Sequence, residues 1–268
     1  MKAIILAAGE GTRLKKYTKH LPKGMLNFAG KSLIEHQINL FNQAGIVNIV
    51  VVKGFAGEKI NLSNVIYYTN IEFRTTNMVA SLFCAQEELE GDVVISYADI
   101  LFEAGLLKKL IEAQHDIAVC VDMNWHKYWY KRYGSIHVDT ESLKIDRDLI
   151  IGLGKKNPPA FEIDGRYVGL LKFSAEGVSQ LKQVWHKFKD DFWDIPWQIS
   201  GKPLKKAYMT DILQAVIDEG YEVHVLETKN GWIEFDTNED YEKALEWRKN
   251  GTLDCIVKLE KWSEIDKL

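Results

Sequence analysis

Gly9 and Gly11 stand in the string Leu6-Ala7-Ala8-Gly9-Glu10-Gly11-Thr12-Arg13-Leu14, directly after the apolar run Ala3 to Leu6, and the cations Arg13 and Lys23 follow shortly. A Gly-rich turn at the end of a buried strand lets backbone N–H groups converge on phosphate oxygens, because no side chain blocks the approach. Two cations close behind it could neutralise a triphosphate and the charge that builds during displacement at phosphorus. Taken one at a time, each could equally be a solvated surface cation.

Two familiar phosphate loops are excluded by position. The Walker pattern needs Gly-Lys followed by Ser or Thr where Leu14 and Lys15 stand, and the dinucleotide fingerprint needs a third Gly at Leu14.

Together with Leu21-Pro22-Lys23-Gly24-Met25, the loop resembles the signature of the sugar-phosphate and phosphocholine nucleotidyltransferase superfamily, L-A-x-G-x-G-T/S-R-L followed by a P-K pair. The resemblance reaches about residue 245 and is tight only at the motifs. It implies a Rossmann-like α/β fold, doubly wound on a mostly parallel sheet, with a smaller acceptor-binding lobe. It also implies release of pyrophosphate, a nucleoside triphosphate held by Leu6, Ala7, Ala8, Gly9, Gly11 and Thr12, and catalytic phosphate-binding roles for Arg13 and Lys23. The segment Thr75 to Leu82 is similar to the N-x-x-S-L stretch of phosphocholine cytidylyltransferases. That likeness favours CTP over UTP or dTTP and sets Asn77 and Ser81 near the nucleotide; a helix cap at Asn77 and plain packing at Ser81 are the alternative.

Phosphoryl transfer from a triphosphate calls for Mg²⁺, held by one or two carboxylates together with phosphate and water. Asp99 follows the apolar run Val93-Val94-Ile95 and should emerge at the same sheet edge as the Gly-rich loop; it matches the superfamily's metal-binding Asp. Asp236 ends Gly231-Trp232-Ile233-Glu234-Phe235-Asp236, which resembles the second metal motif, with Glu234 in support. A helix N-cap is the competing role for each acid, and for Asp236 a helix over Tyr241 to Trp247 stands close behind.

For the acceptor, Trp125, Tyr128, Trp129 and Tyr130 offer ring faces to an amine, whereas the interleaved Lys127, Lys131 and Arg132 suit an anion; an amphipathic lid is the plainer reading. Lys172 and Asp211 lie in segments that resemble those flanking the acceptor pocket of related cytidylyltransferases, including those acting on aminoethylphosphonate. Each could instead be an edge charge or a helix-start cap. The seven histidines are scattered, and none accompanies a Ser or Cys in a nucleophile motif.

The elements that must position these residues follow an alternating pattern. Strands are expected at Ala3 to Leu6, Asn48 to Val52, Val65 to Tyr68, Asp92 to Ser96 and Ile117 to Val121. Helices are expected over Leu33 to Gln43, from Met78 to Leu89 and around Leu106 to Ala113. Beyond residue 122 an aromatic and basic stretch, Trp125 to Tyr133, and a turn-rich segment up to Pro158-Pro159 read as material that covers a site. Strands at Tyr167 to Phe173, Tyr221 to Leu226 and Gly231 to Phe235, and a helix over Thr210 to Asp218, complete the pattern. The expected organisation is one domain over 1–245, with a nucleotide-binding half to about 122 and an acceptor-binding half beyond it. A helical tail over 246–268, carrying Ile256, Leu259, Trp262 and Ile265 at helical spacing, could pack on its own core or on the second copy of a homodimer.

At 268 residues and 46% hydrophobic, the chain can bury a full core, and a net charge of −4 supplies no basic field for nucleic acid. Cys84, Cys120 and Cys255 form no C-x-x-C pair, and Cys84 and Cys120 fall at positions of buried small hydrophobes. The short N-terminal apolar run is neither a signal nor a membrane span, so a cytoplasmic location is expected. Three rivals retain part of the pattern. A sugar-1-phosphate nucleotidyltransferase shares loop and metal, and an inactive relative could serve as a nucleotide sensor. A metal-dependent glycosyltransferase would need D-x-D, but Tyr97 stands two before Asp99.

Overall fold

The computed structural model describes residues 1–259. The first half of the chain contributes β1 (Lys2–Ala7), α1 (Lys15–Thr18), the hairpin β2 (Asn27–Phe28) and β3 (Lys31–Ser32), α2 (Leu33–Gln43), β4 (Ile49–Lys53) and β5 (Ile66–Thr69). It continues through α3 (Met78–Cys84), β6 (Val93–Tyr97), β7 (Ile100–Phe102), α4 (Ala104–Glu112) and β8 (Ile117–Asp122). The second half adds α5 (Trp125–Tyr133), β9 (Glu141–Asp146), β10 (Leu149–Lys156), β11 (Arg166–Phe173) and α6 (Ala175–Phe192). It closes with α7 (Met209–Asp218), β12 (His224–Thr228), β13 (Trp232–Glu234) and α8 (Asn238–Lys249).

Nine strands form one sheet in the order β5-β4-β1-β6-β11-β8-β12-β10-β9. Apolar side chains alternate between two cores, as a sheet covered on both faces requires. In β1, Ala3, Ile5 and Ala7 pack with α2, α4, α5 and α8, while Ile4 and Leu6 pack with α3, α6 and α7. Helix α2 starts at a reciprocal cap, Ser32 Oγ accepting from Glu35 N and Glu35 Oε2 from Ser32 N.

The sheet is mixed, which corrects the expectation of a mostly parallel one. β5, β4, β1 and β6 run parallel, but β11 lies between β6 and β8 and is antiparallel to both. β11 begins with Arg166 opposite Asp122, the last residue of β8. The intervening β9–β10 hairpin reaches the far edge at its turn, where Asp148 meets His224, and the chain has returned by Arg166, so β11 starts at the edge where β8 ends and runs in reverse.

Two segments expected as covering material are built elements. Trp125 to Tyr133 is helix α5, with Trp125, Tyr128 and Trp129 buried in the core. The turn-rich segment holds the β9–β10 hairpin. The long helix α6, which falls outside the expected elements, presents Val178, Leu181, Val184, Trp185 and Phe188 to the second core. The helical tail is also corrected in its first part: α8 stops at Lys249, and Leu253–Cys255 form a single 3-10 turn that seats Leu253, Ile256 and Val257 in the first core. Leu259 is half-exposed, and Trp262 and Ile265 lie outside the described residues. No helix of the described residues is long and apolar enough to cross a membrane.

Candidate active site

β1 delivers Leu6, Ala7 and Ala8 to the edge of the sheet where β6 ends at Tyr97, the two strands being parallel neighbours. Gly9 has open space where a Cβ would stand, and Gly11 adopts φ 60°, a left-handed conformation that starts the 3-10 turn Thr12–Leu14. A cleft opens here, lined by Leu6, Ala7, Ala8, Gly9 and Gly11, by Asn77 and Ser81 from the start of α3, and by Lys23, Tyr97 and Asp99. Thr12 and Arg13 lie just outside that lining.

Lys23 joins the two acids singled out in the sequence. Its Nζ donates to Asp99 Oδ2 at 2.6 Å and to Asp236 Oδ1 at 2.6 Å. The pairing of β13 with β7 sets Asp236 beside Asp99, and Phe235 N donates to Asp99 O at 2.9 Å. Arg13 approaches from the other side, donating to Asp236 Oδ2 at 3.1 Å and to Asp139 Oδ2 at 3.0 Å. The N-cap of α8 is Thr237, whose hydroxyl accepts from Asp240 N at 3.1 Å, so the Asp236 carboxylate is free of the capping role.

Burial alone would push the Asp236 carboxyl up, but the charges of Lys23, Arg13 and Arg132 outweigh it and hold the group well below the ordinary carboxylate range. Burial likewise opposes the charge on Lys23, yet Asp99 and Asp236 raise its pKa and keep it an ammonium. Glu234 moves the other way: burial raises its pKa ahead of the lowering effect of Arg132.

Arg132, grouped in the sequence with cations suited to an anionic acceptor, is instead a buried hub whose partners sequence reasoning missed. It is 1% exposed and donates to Asp240 at 2.6 and 2.7 Å and to Glu234, with Asp236 Oδ2 3.6 Å away. Tyr128 fixes the same strand, its hydroxyl accepting from Glu234 N at 3.0 Å. Asn70 is a second omission: its Nδ2 donates to Thr76 Oγ1 at 2.9 Å and Ser81 Oγ at 2.8 Å, holding the start of α3 against the cleft. Its partners lie within a dozen residues, so the cluster of Asn, Thr and Ser was the available signal. Asn77 accepts from Met78 N at 2.9 Å as the N-cap of α3, and it lines the cleft at the same time.

Four expected acceptor residues are placed differently. Trp125 and Trp129 are 3% and 0% exposed, so they are core residues, not walls of an open aromatic cage. Trp129 Nε1 donates to Val138 O at 2.8 Å, and its ring face is covered by the Arg166 guanidinium at 4.2 Å. Lys172 pairs in register with Val94 near the start of β6, and its ammonium caps the end of α4 through the carbonyls of Ile111 and Ala113. That is the opposite edge of the sheet from Asp99. Asp211 accepts from Tyr208 N at 2.8 Å at the start of α7 and lines a separate groove with Lys156 and Lys202.

His115, Asp148 and His224 also form a group that could hold a metal ion, with ligand atoms within 4.8 Å of one another. His224 opens β12 beside Ala118, near the start of β8, whereas Asp99 follows the end of β6. This group is therefore at the edge of the sheet remote from the Gly-rich cleft.

Residues 3–149 match the model of the MobA-like NTP transferase domain. The chain is 36% identical over 259 residues to a CTP:phosphoglutamine cytidylyltransferase of Campylobacter jejuni, covering 92% of this chain and all of that one. It is 36% identical over 107 residues to a choline-phosphate cytidylyltransferase of Streptococcus pneumoniae, covering 38% of this chain and 47% of that protein. The fold is that of the solved CTP:phosphocholine cytidylyltransferase of S. pneumoniae, with a TM-score of 0.70 at 21% identity over 91% of this chain and 97% of the other. The inositol-1-phosphate CTP transferase of T. maritima superposes with a TM-score of 0.69 at 22% identity, over 96% of this chain and 97% of that one. The chain belongs to the nucleotidyltransferase superfamily, carries its MobA-like NTP transferase domain, and is an enzyme of the nucleotidyl-transferring class.

Proposed function

We propose that this enzyme transfers CMP from CTP to a small phosphorylated or phosphonate acceptor and releases pyrophosphate. The observation that carries this reading is the Lys23 ammonium, 2.6 Å from both Asp99 and Asp236 at the mouth of the Gly-rich cleft. CTP is favoured as donor because relatives acting on phosphoglutamine, phosphocholine and aminoethylphosphonate are cytidylyltransferases.

An acceptor phosphate oxygen is already anionic at neutral pH, so attack on the α-phosphorus needs no general base. Lys23 and Arg13 neutralise charge on the triphosphate while backbone N–H groups around Gly9 and Gly11 orient it. Asp99 and Asp236, two carboxylates from separate strands converging on one cation, suit Mg²⁺ as a donor set. Bound there, Mg²⁺ would add Lewis-acid neutralisation of phosphate charge.

Pyrophosphate release measured with four nucleoside triphosphates and a panel of phosphocholine, phosphoglutamine, aminoethylphosphonate and hexose-1-phosphates tests the reading. Turnover with CTP that disappears in Lys23→Ala or Asp99→Ala is the expected result. Near-normal turnover in either variant overturns the assignment of these residues. Turnover confined to hexose-1-phosphates identifies a sugar-phosphate enzyme, and tight CTP binding without turnover on any acceptor identifies a sensor.

A further inference from the structure

We infer that the acceptor carries an amino-acid head, with ammonium and carboxylate together, and that Arg166 and Glu141 read those two groups. This rests on the cytidylyltransferase reading above and specifies its substrate class.

Arg166 opens β11 opposite Asp122, at the strand edge that also carries the phosphate cleft. The carbon of its guanidinium stands over the buried Trp129 ring, 4.2 Å from the ring centre, and no hydrogen bond or ion pair engages its side chain among the described residues. A planar guanidinium held on a rigid ring keeps its N–H edge free for a bidentate carboxylate. The same stacking occupies the ring face that a quaternary ammonium would need, and it places a positive charge there.

Glu141, the first residue of β9, is the neighbouring opposite charge. Its carboxylate accepts from Thr210 Oγ1 at 3.0 Å and has no ion-pair partner among the described residues. Burial raises its pKa, and Arg166 is the leading charge that opposes the rise. A buried carboxylate short of a cation is costly to the fold, and an arriving ammonium offsets that cost.

The link to the reaction centre runs through Tyr97, which lines the cleft two residues before Asp99 and whose hydroxyl accepts a hydrogen bond from Tyr167 at 3.2 Å, next to Arg166. The register of β11 breaks between Tyr167 and Leu171, and Gly169 adopts φ +84°. Such an irregularity re-aims side chains at a sheet edge. The fold therefore sets Arg166 at the strand edge that carries the cleft, with its charge acting on Glu141 and Glu234, and sets Glu141 where its charge acts on the cleft residue Tyr97. No ion pair joins Arg166 to Glu141 among the described residues, which leaves the two as the complement of a zwitterion.

The test uses the full-length enzyme with CTP and phosphoglutamine, O-phosphoserine, phosphocholine or aminoethylphosphonate. Wild type is expected to favour phosphoglutamine over phosphocholine by about 100-fold or more in kcat/KM, since loss of a site's polar pairing discriminates at that scale. Arg166→Ala should raise the KM for phosphoglutamine about 10- to 100-fold with little change in kcat or in the KM for CTP, the pattern of lost uniform binding. Arg166→Lys should restore only part of it. Glu141→Gln keeps the Thr210 contact and should raise the same KM while leaving the KM for CTP unchanged. Preference for phosphocholine in wild type, or an equal loss on all acceptors in Arg166→Ala, overturns the inference. Calorimetric binding of phosphoglutamine reads the site without turnover. Binding that is lost in Arg166→Ala supports the head-group site even if CTP is not the donor, and no binding to wild type rejects it.

Discussion

Arg132 and Asp240 are joined by two hydrogen bonds, Nε to Oδ1 at 2.6 Å and Nη2 to Oδ2 at 2.7 Å, although 108 residues separate them. Asp240 Oδ2 also accepts the N–H groups of Thr237 at 2.8 Å and Asp236 at 3.2 Å. The guanidinium thus fixes the backbone that carries Asp236. Arg132→Met leaves Glu234 and Asp240 buried without their cation, a situation that costs about 3–5 kcal/mol. Urea unfolding should show a loss of that order, and a change below about 1 kcal/mol, the range of an exposed pair, would mean that water replaces the network.

Acid stability should depend on Asp236. Burial works to raise its pKa, but Lys23, Arg13 and Arg132 bring it well below the ordinary range. A depressed carboxylate contributes stability that is full above its unfolded pKa, about 4, and is lost as pH falls toward the folded value. Wild type should therefore exceed Asp236→Asn in unfolding free energy near neutrality, and the gap should narrow as pH falls below about 4. A gap that stays constant on acidification would mean that Asp236 is not held by these charges.

Glu141 should show the reverse sign. Its pKa is raised, chiefly by burial. The folded state then disfavours the ionised form, so the cost is present above the folded pKa and vanishes as pH falls through the unfolded one. Glu141→Gln is expected to melt at a higher temperature than wild type near neutrality and at the same temperature near pH 3, measured by calorimetry. Equal melting temperatures at both pH values would show that Glu141 is adequately solvated.

The parts legible in the sequence were those whose signal is local. The boundaries expected for α2 match the observed Leu33–Gln43, because Ile34, Ile38 and Phe41 repeat at helical spacing and Gly45 ends the run. The cleft's Gly loop and Asp99 were visible because each follows a strand, and Lys23 because it stands in a short Pro-Lys motif close behind the loop. Arg132 was not, since its partners Glu234 and Asp240 lie over a hundred residues away. Its neighbours Trp125 and Trp129 have the amphipathic rings of a binding surface, and only the tertiary packing of α5 makes them core. Lys172 misled for the same reason: its carbonyl partners on Ile111 and Ala113 carry no sequence mark.

Lys172 should separate stability from activity. It is 6% exposed, and its ammonium caps α4 at the edge of the sheet away from Asp99. Lys172→Ala leaves two carbonyls short of a charged donor, and hydrogen bonds to charged groups contribute about 1.5–3 kcal/mol. A lower melting temperature with unchanged KM for CTP and acceptor is expected. A raised acceptor KM at full stability would return Lys172 to the substrate site.

Gly169 ties backbone conformation to the cleft. It adopts φ +84°, and a Cβ there would stand 2.7 Å from Tyr97 Cδ2 and 3.0 Å from Cγ. Alanine therefore adds left-handed strain of about 1–2 kcal/mol and forces Tyr97 aside. Tyr97 lines the Gly-rich cleft and shares a hydrogen bond with Tyr167, so displacement of its ring is expected to act on both proposed substrates. Gly169→Ala should lower the melting temperature and raise the KM for CTP and acceptor together. Tyr97→Ala removes the clash but not the strain, so Gly169→Ala should cost less stability in the Tyr97→Ala background than in wild type. An equal cost in both backgrounds would mean that the ring contact is not the source.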